Sequence, residues 1–469
     1  MKADGSGSSI AVDAMKQPNT ADRPAAVVLT LVLVFYTLLS KEMGNVVLPA
    51  TLPLIDDAVD GPVTTVLVSI GSLFYVGGKI SYTLTVQAIG AKAVLVYSTL
   101  IAGTGLLLVG SAGSGFTRVL IGTCLAQFGC AHVWGAGFGL VVGWVDRVYV
   151  GRVMGILFST GSDGGGALGS LLVSVLIRSA GDGAWRWAFA AGGMQLLLVS
   201  ALLQLILHKS AVAAGFAPPL LDDDSEGRAA RSHPLDDASL GTAFGRLCFG
   251  PASILFWLTC LASIGYALAA MTMLTYATLY AVRRLHADAA DAARVLTFAS
   301  LGSLSGGWLG GIARDTLRGR ALVTATAILD AAALAVACVW LWFDSVVDSE
   351  DGRFLPPLEI SPAQCAHAMG AAMFLVFCSI VFSWNPIITL MQYKLGGAKH
   401  ATTVVGIQDV LGFAGRVPFS YAFGLMLQRD ESITAALCLW VLALALGHAT
   451  TLAALILDEL PAGAGATLL

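Results

Sequence analysis

Residues Tyr36 to Pro49 read YTLLSKEMGNVVLP. The run lies inside the first long apolar segment, yet it sets Lys41 beside Glu42 near that segment's middle. By insertion scales, a Lys or Asp at membrane depth costs about +2.5 to +3.5 kcal/mol. The pair must therefore be wrapped in protein or line a wet cavity, and either needs further helices. Two readings compete for Lys41: local neutralisation by Glu42 or a carbonyl, and binding of an anion in a cavity the other helices build.

Composition decides the solvent. Of 469 residues 57% are hydrophobic and only 12% charged, about half the charge of a soluble protein. Mean hydropathy is +0.79. This is an all-α, polytopic membrane protein, with the lipid bilayer as its first partner. A net charge of -4 argues against nucleic acid. The eight cysteines show no CxxC or Cys/His metal spacing and read as buried small hydrophobes. No catalytic triad, metal spacing or nucleotide loop is visible, so neither an enzyme nor a bound cofactor is expected. Residues 1–24 are polar, lack a signal-peptide apolar run and read as a disordered cytosolic tail.

Apolar stretches long enough to span recur about twelve times: 25–55, 62–88, 91–111, 117–145, 151–179, 185–208, 251–282, 289–313, 320–343, 363–392, 400–428 and 432–457. The longest polar interruption follows the sixth. The domain plan is an N-terminal six-helix bundle (25–208), a cytosolic central loop (209–250), a C-terminal six-helix bundle (251–457) and a cytosolic tail (458–469). Six helices, a long loop and six helices is the layout of the major facilitator architecture, whose site lies at the midplane between similar bundles. With the N-terminus inside, about fifteen Lys/Arg fall on the cytoplasmic side and about eight outside, so both termini are expected in the cytosol. The outer loops then carry acids, Asp56, Asp57 and Asp60 after helix 1 and Asp344 to Glu359 after helix 9.

Short motifs support the two halves. After helix 8, GGIARDTLRGR carries Gly311, Asp315 and Arg318 in a Gly-xxx-Asp-then-basic pattern that would pin neighbouring helices through an Asp-to-Arg bond. The counterpart after helix 2 keeps Gly90 and Lys92 but has Gln87 for the Asp, so that conformational latch should be weaker. STGSDGGGALGS (159–170) is the densest glycine patch. Small residues there let helices approach and slide, as a rocking seam or as plain tight packing.

Within the spans lie Lys41, Glu42, Lys79, Asp163, Asp409 and Arg416. At ~1.5 Å rise per residue, Lys41, Lys79 and Arg416 fall at similar depth near the midplane. Tyr75, Lys79 and Tyr82 share one face of helix 2, and Gln127 and Trp134 one face of helix 4, whereas His132 points elsewhere and reads as a satisfied core residue. Asp409 and Arg416 stand two turns apart, ~10 Å, too far to pair, so each needs another partner. Asp163 is placed to pair with Lys41 or Lys79 when the site is empty.

These residues resemble the organophosphate:inorganic phosphate antiporters of the major facilitator superfamily. That family carries an Arg-Lys pair eight residues before a Pro on helix 1, where this chain has Lys41-Glu42 before Pro49. Its Tyr-x-x-small-Lys on helix 2 is similar to Tyr75 to Lys79, its Ser-Thr-Ser-x-Asn run to STGSDGGGALG with Asp163 at the Asn, and its helix-11 run to GFAGRVPFS (412–420). The resemblance implies that Lys41 and Lys79 clamp a phosphate. It departs at Ala270, where the family has its helix-7 cation, and at Glu42, acidic where the family is basic. Arg416 stands where the family has Gly, and is expected to supply the missing cation from another helix.

The expected function is secondary transport of a small organic anion by alternating access, in a monomer, exchanging a phosphorylated metabolite for phosphate. Substrate binding falls to Lys41, Lys79, Arg416, Tyr75, Gln127 and Trp134, and ion pairing or coupling to Glu42, Asp163 and Asp409. A proton-coupled mono- or dicarboxylate carrier is the alternative, since a monocarboxylate needs one cation and phosphate several. A non-transporting receptor would not need cations at matched depth. A channel would show charge rings or a filter segment.

Overall fold

The computed structural model describes residues 23–216, 240–346, 361–384, 389–429 and 432–459. Residues 1–22 and 460–469 of the expected tails, and 217–239 of the central loop, lie outside the described residues. Among the described residues ten helices are long and apolar enough to cross a membrane. They are α1 (Arg23–Ala58), α3 (91–110), α4 (Phe116–Trp144), α6 (Ala184–Ile206), α7 (Ser253–Leu285), α8 (Ala289–Arg314), α9 (Arg320–Ser345), α10 (Pro362–Ser383), α11 (Val404–Leu427) and α12 (Ile433–Asp458). Two more helical runs, α2 (68–89) and α5 (147–180), complete the expected order. Polar residues make α2 less apolar and a wound-out turn divides α5, and both line the cavity. The expected loop also holds a short helix, Leu240–Phe249, whose Ala243, Leu247 and Cys248 pack on Phe256 and Cys260 at the start of α7.

Local chemistry explains where the helices break. In α1 the regular winding stops at Val46. Pro49 has no N–H to give the Asn45 carbonyl, and Pro53 none for the Pro49 carbonyl. The second loss is made good from the other bundle, where the Thr278 hydroxyl of α7 donates to the Pro49 carbonyl. Gly90, at φ 81°, separates α2 from α3 in a backbone conformation that side chains disfavour. Wider π-helical turns interrupt α5 at Ser159–Asp163 and α7 at Ala267–Met271. Such turns concentrate at functional sites.

Within the N-terminal bundle α4 packs along α2 and α3, α3 on α6 and α1 on α5. In the C-terminal bundle α8 packs on α10 and α7 on α12. The bundles meet along α5 with α8, α2 with α11 and α1 with α7. The glycine patch divides between these surfaces. A methyl at Gly165 would sit 2.5 Å from the Leu39 carbonyl of α1, whereas one at Gly166 would meet Ser300 of α8. The patch is therefore mostly packing within one bundle, with a single face on the seam.

On the side away from the chain termini the bundles are tied repeatedly. Arg178 pairs with Asp291 at 2.6 Å, Arg283 with Asp56, and the Ser174 hydroxyl donates to the Ala290 carbonyl at 2.8 Å. Two acids expected in outer loops are thus helical and engaged. Asp56 lies within α1, and Asp344 in α9 is buried, accepting from Tyr280 at 2.6 Å and Thr434 at 3.0 Å. The reason is burial: both helices run past their apolar stretch until a basic or hydroxyl partner is met. All eight cysteines are free; Cys338 and Cys438 correct the expectation by being exposed on the outer faces of α9 and α12.

Candidate functional site

A cavity of about 280 Å³ lies between the bundles. All nine residues assigned to binding or coupling line it: Lys41 and Glu42 from α1, Tyr75 and Lys79 from α2, Gln127 and Trp134 from α4, Asp163 from α5, Asp409 and Arg416 from α11. The volume sits at the low end of small-molecule sites, about 300–1,000 Å³. It suits a cargo of few heavy atoms.

The three cations differ in their company. Lys41, 5% exposed, donates to the neighbouring Glu42 carboxylate. Glu42 is held in place by Ser162, 2.9 Å away on the widened turn of α5, and by Asn45 at 3.1 Å, one turn along α1. Gln127 in turn donates to the Asn45 side-chain oxygen Oδ1 at 3.2 Å, so α1, α4 and α5 share one polar network. Lys79 reaches across the bundle boundary to Asp409 at 2.7 Å. Its ammonium also stands 5.7, 5.8 and 6.0 Å from the ring centres of Tyr75, Trp134 and Phe413, within cation–π range. Arg416 has no carboxylate partner among the described residues. It donates to Thr275 of α7 at 2.8 Å, and its Nε is buried with no acceptor.

One expectation needs correction. Asp163 makes no ion pair among the described residues; Glu42 and Asp409 are the carboxylates that neutralise the lysines. The widened turn moves Asp163 around the axis of α5 and leaves Ser162, not Asp163, against Glu42. Tyr82, on the same face as Tyr75 and Lys79, lies outside the cavity lining and covers Gly135 of α4 edge-on to His132. His132 is the satisfied core residue expected, bonded to the Phe128 carbonyl at 2.9 Å and Ser81 at 3.0 Å.

The latch residues stand apart from the cavity. Lys92 donates to the Gln204 carbonyl of α6 at 3.2 Å, just past the positive φ of Gly90. Arg318 is exposed, Gly311 has open space beside it, and the Asp315 side chain lies outside the described residues. Asn45, Ser162, Thr275 and Phe413 join the site unannounced by the sequence reading. Helical spacing could have found two of them, Asn45 one turn from Glu42 and Phe413 one turn from Asp409. Ser162 and Thr275 depend on the wound-out turns and on the contact between bundles.

A family model described as Major Facilitator Superfamily matches residues 30–420. The chain belongs to the Major Facilitator Superfamily. It is a multi-pass integral membrane transporter of the alternating-access type. Among curated proteins no significant match is found. Solved structures with the same fold include a bacterial homolog of the human lysosomal transporter Spinster in an inward-facing, unoccupied conformation. It is 14% identical with TM-score 0.62, covering 95% of this chain and 100% of that one. The fucose:proton symporter of E. coli is 16% identical with TM-score 0.59, covering 91% and 98%. A D-xylose–proton symporter is 12% identical with TM-score 0.66, covering 91% and 96%. At these identities the likeness is one of fold.

Proposed function

We propose that this superfamily member carries a small organic anion, exchanging a phosphorylated metabolite for inorganic phosphate. The observation that carries the reading is the convergence of Lys41, Lys79 and Arg416 on one cavity, with Arg416 lacking a carboxylate. A buried guanidinium without a counter-ion is costly, and an anion between α2 and α11 relieves it. Lys79 and Asp409 supply the switch. Their ion pair bridges the bundles, so it resists rocking while the site is empty. An incoming phosphate competes with Asp409 for Lys79 and with Glu42 for Lys41, and takes Arg416 directly. The loaded carrier loses its cross-bundle brake and moves, which is what exchange requires.

The termini side is the cytosolic one in this reading, because the basic residues cluster there. The ties at Asp56, Asp291 and Ala290 then close the outer side, and the cavity belongs to an inward-facing state.

A second reading is favoured by one fact: two of the three cations are already neutralised by carboxylates of the protein. A guanidinium with no carboxylate partner among the described residues suits a monocarboxylate, with Asp163, Asp409 or Glu42 taking a proton alongside. Transport distinguishes the two. Radiolabelled phosphate uptake into phosphate-preloaded proteoliposomes should be robust in wild type and abolished by Lys41→Ala. Active protein that exchanges no phosphate, but accumulates a labelled monocarboxylate under an inward proton gradient, would replace the first reading with the second.

A further inference from the structure

The C-terminal bundle holds a second buried charge centre, away from the cations of the cavity. Asp330 of α9 is 4% exposed and His448 of α12 is 2% exposed. His448 Nδ1 stands 2.8 Å from Asp330 Oδ1. Onto the same oxygen converge the hydroxyls of Ser379 at 2.7 Å and Ser383 at 3.3 Å, both from α10. The Tyr266 hydroxyl of α7 lies 3.1 Å from His448 Nδ1. Four helices thus contribute to one cluster about ten residues, ~15 Å, from the termini-side end of α9.

A network built only for packing closes its hydrogen bonds; a half-closed one is costly in low dielectric. Here three donors crowd one carboxylate oxygen, while Asp330 Oδ2 and His448 Nε2 are buried with no partner. The charge count points the same way. With one proton between them, the carboxylate and imidazole form a net-neutral pair. Without it, the site is a bare anion at membrane depth, an expensive state. The groups facing the pair are Tyr266, Ser379, Ser383 and, on α12, Thr451 one turn along from His448. Cys378, beside Ser379, is the other titratable side chain of α10 at this level. No Lys, Arg or further carboxylate bonds to the pair among the described residues.

Two aromatic rings separate the cluster from the cavity. The Tyr266 ring is 5.6 Å from that of Trp384, and Trp384 lines the cavity between the bundles. We propose that Asp330 and His448 form a proton-binding site of the C-terminal bundle, loaded and emptied from the cavity past Tyr266 and Trp384. The proton comes from cavity water, adds to the Nδ1 edge of His448 where Asp330 Oδ1 holds it, and returns to water by the same path. Binding one proton per carrier makes the site a coupling point for the bundle whose Arg416 faces the cargo. It does not depend on which anion the cavity takes.

The test therefore needs no cargo. Infrared difference spectra of the purified full-length protein, taken between about pH 5 and about pH 9 where an imidazole titrates, should show a buried carboxyl or imidazole change. It should vanish in Asp330→Asn and move in midpoint in His448→Gln. Should Asp330→Asn not fold, Asp330→Glu keeps the carboxyl one methylene further out, and its signal should shift in position and midpoint. Superimposable spectra for wild type and a folded variant would overturn the proposal. So would a ¹⁵N-histidine spectrum of wild type in which the resonance missing from His448→Gln stays unchanged across that range. Phosphate exchange could fail while this titration stands, and the reverse.

Discussion

Replacing Asp409 by Asn strips Lys79 of its counter-ion and leaves its aromatic surroundings intact. The ammonium and carboxylate are 2.7 Å apart, with side chains 9% and 18% exposed. Coulomb attraction at that separation reaches ~6 kcal/mol at an effective dielectric of 20, before desolvation is subtracted. Removing one partner of a buried pair costs about 3–5 kcal/mol. Since Asp409 keeps some solvent contact, the lower end applies, about 3 kcal/mol. Lys79→Met removes the charge with similar bulk, so the double variant Lys79→Met/Asp409→Asn should regain about 2 kcal/mol over the sum of the single losses. Reversible unfolding of purified protein in mixed micelles gives all four corners of that cycle. The anion reading adds a second number. If phosphate competes with Asp409 for Lys79, Asp409→Asn should tighten phosphate binding by about tenfold or more, at 1.4 kcal/mol per decade. Strict additivity in the cycle, together with unchanged phosphate affinity, would refute both the cross-bundle pair and the competition built on it.

Other outcomes follow from single features. Arg416→Met should lower anion affinity by about a hundredfold, a charge-assisted bond and its desolvated charge being lost, whereas Arg416→Lys restores part of it; calorimetry with phosphate measures both. Thr278→Val orphans the half-buried Pro49 carbonyl and should cost about 1 kcal/mol of stability, read as a lowered Tm. Arg283→Ala removes a half-exposed tie worth about 1 kcal/mol at most. It should raise several-fold the reactivity of a Ser174→Cys thiol toward a membrane-impermeant reagent, in a background without the exposed Cys338 and Cys438.

The fold was legible because its signal is length and hydropathy. Each apolar run closed one helix, and the polar interruption after His208 separated the bundles. The cavity was legible for a related reason: Lys41, Lys79 and Arg416 have no business at membrane depth unless they meet, and equal rise along antiparallel helices brings them level. Partners were harder to read. Asp409 faces Lys79 because α2 and α11 cross, a fact of tertiary packing that no spacing along either helix encodes. The neglect of Asp163 by both lysines depends on the widened turn at Ser159–Asp163, which shifts every later residue around the α5 axis. Asp330 and His448 carry a quieter signal, each being the lone ionisable residue of an apolar run, ATAILDAAAL and LALGHATT. A search for single ionisable groups on every span, rather than for clusters, would have found them.

The two prolines of α1 turn that helix into a jointed lever. Below Val46 it carries Lys41, which lines the cavity, and above it carries Asp56, the catch that fastens to Arg283. Backbone continuity between Lys41 and that catch is weakest at the joint, and the hydroxyl that takes up the Pro49 carbonyl, from Thr278, belongs to the opposite bundle. The upper arm can release its catch without disturbing the Lys41–Glu42 pair below. Opening on the side away from the termini and rearrangement around Lys41 are thereby separable events.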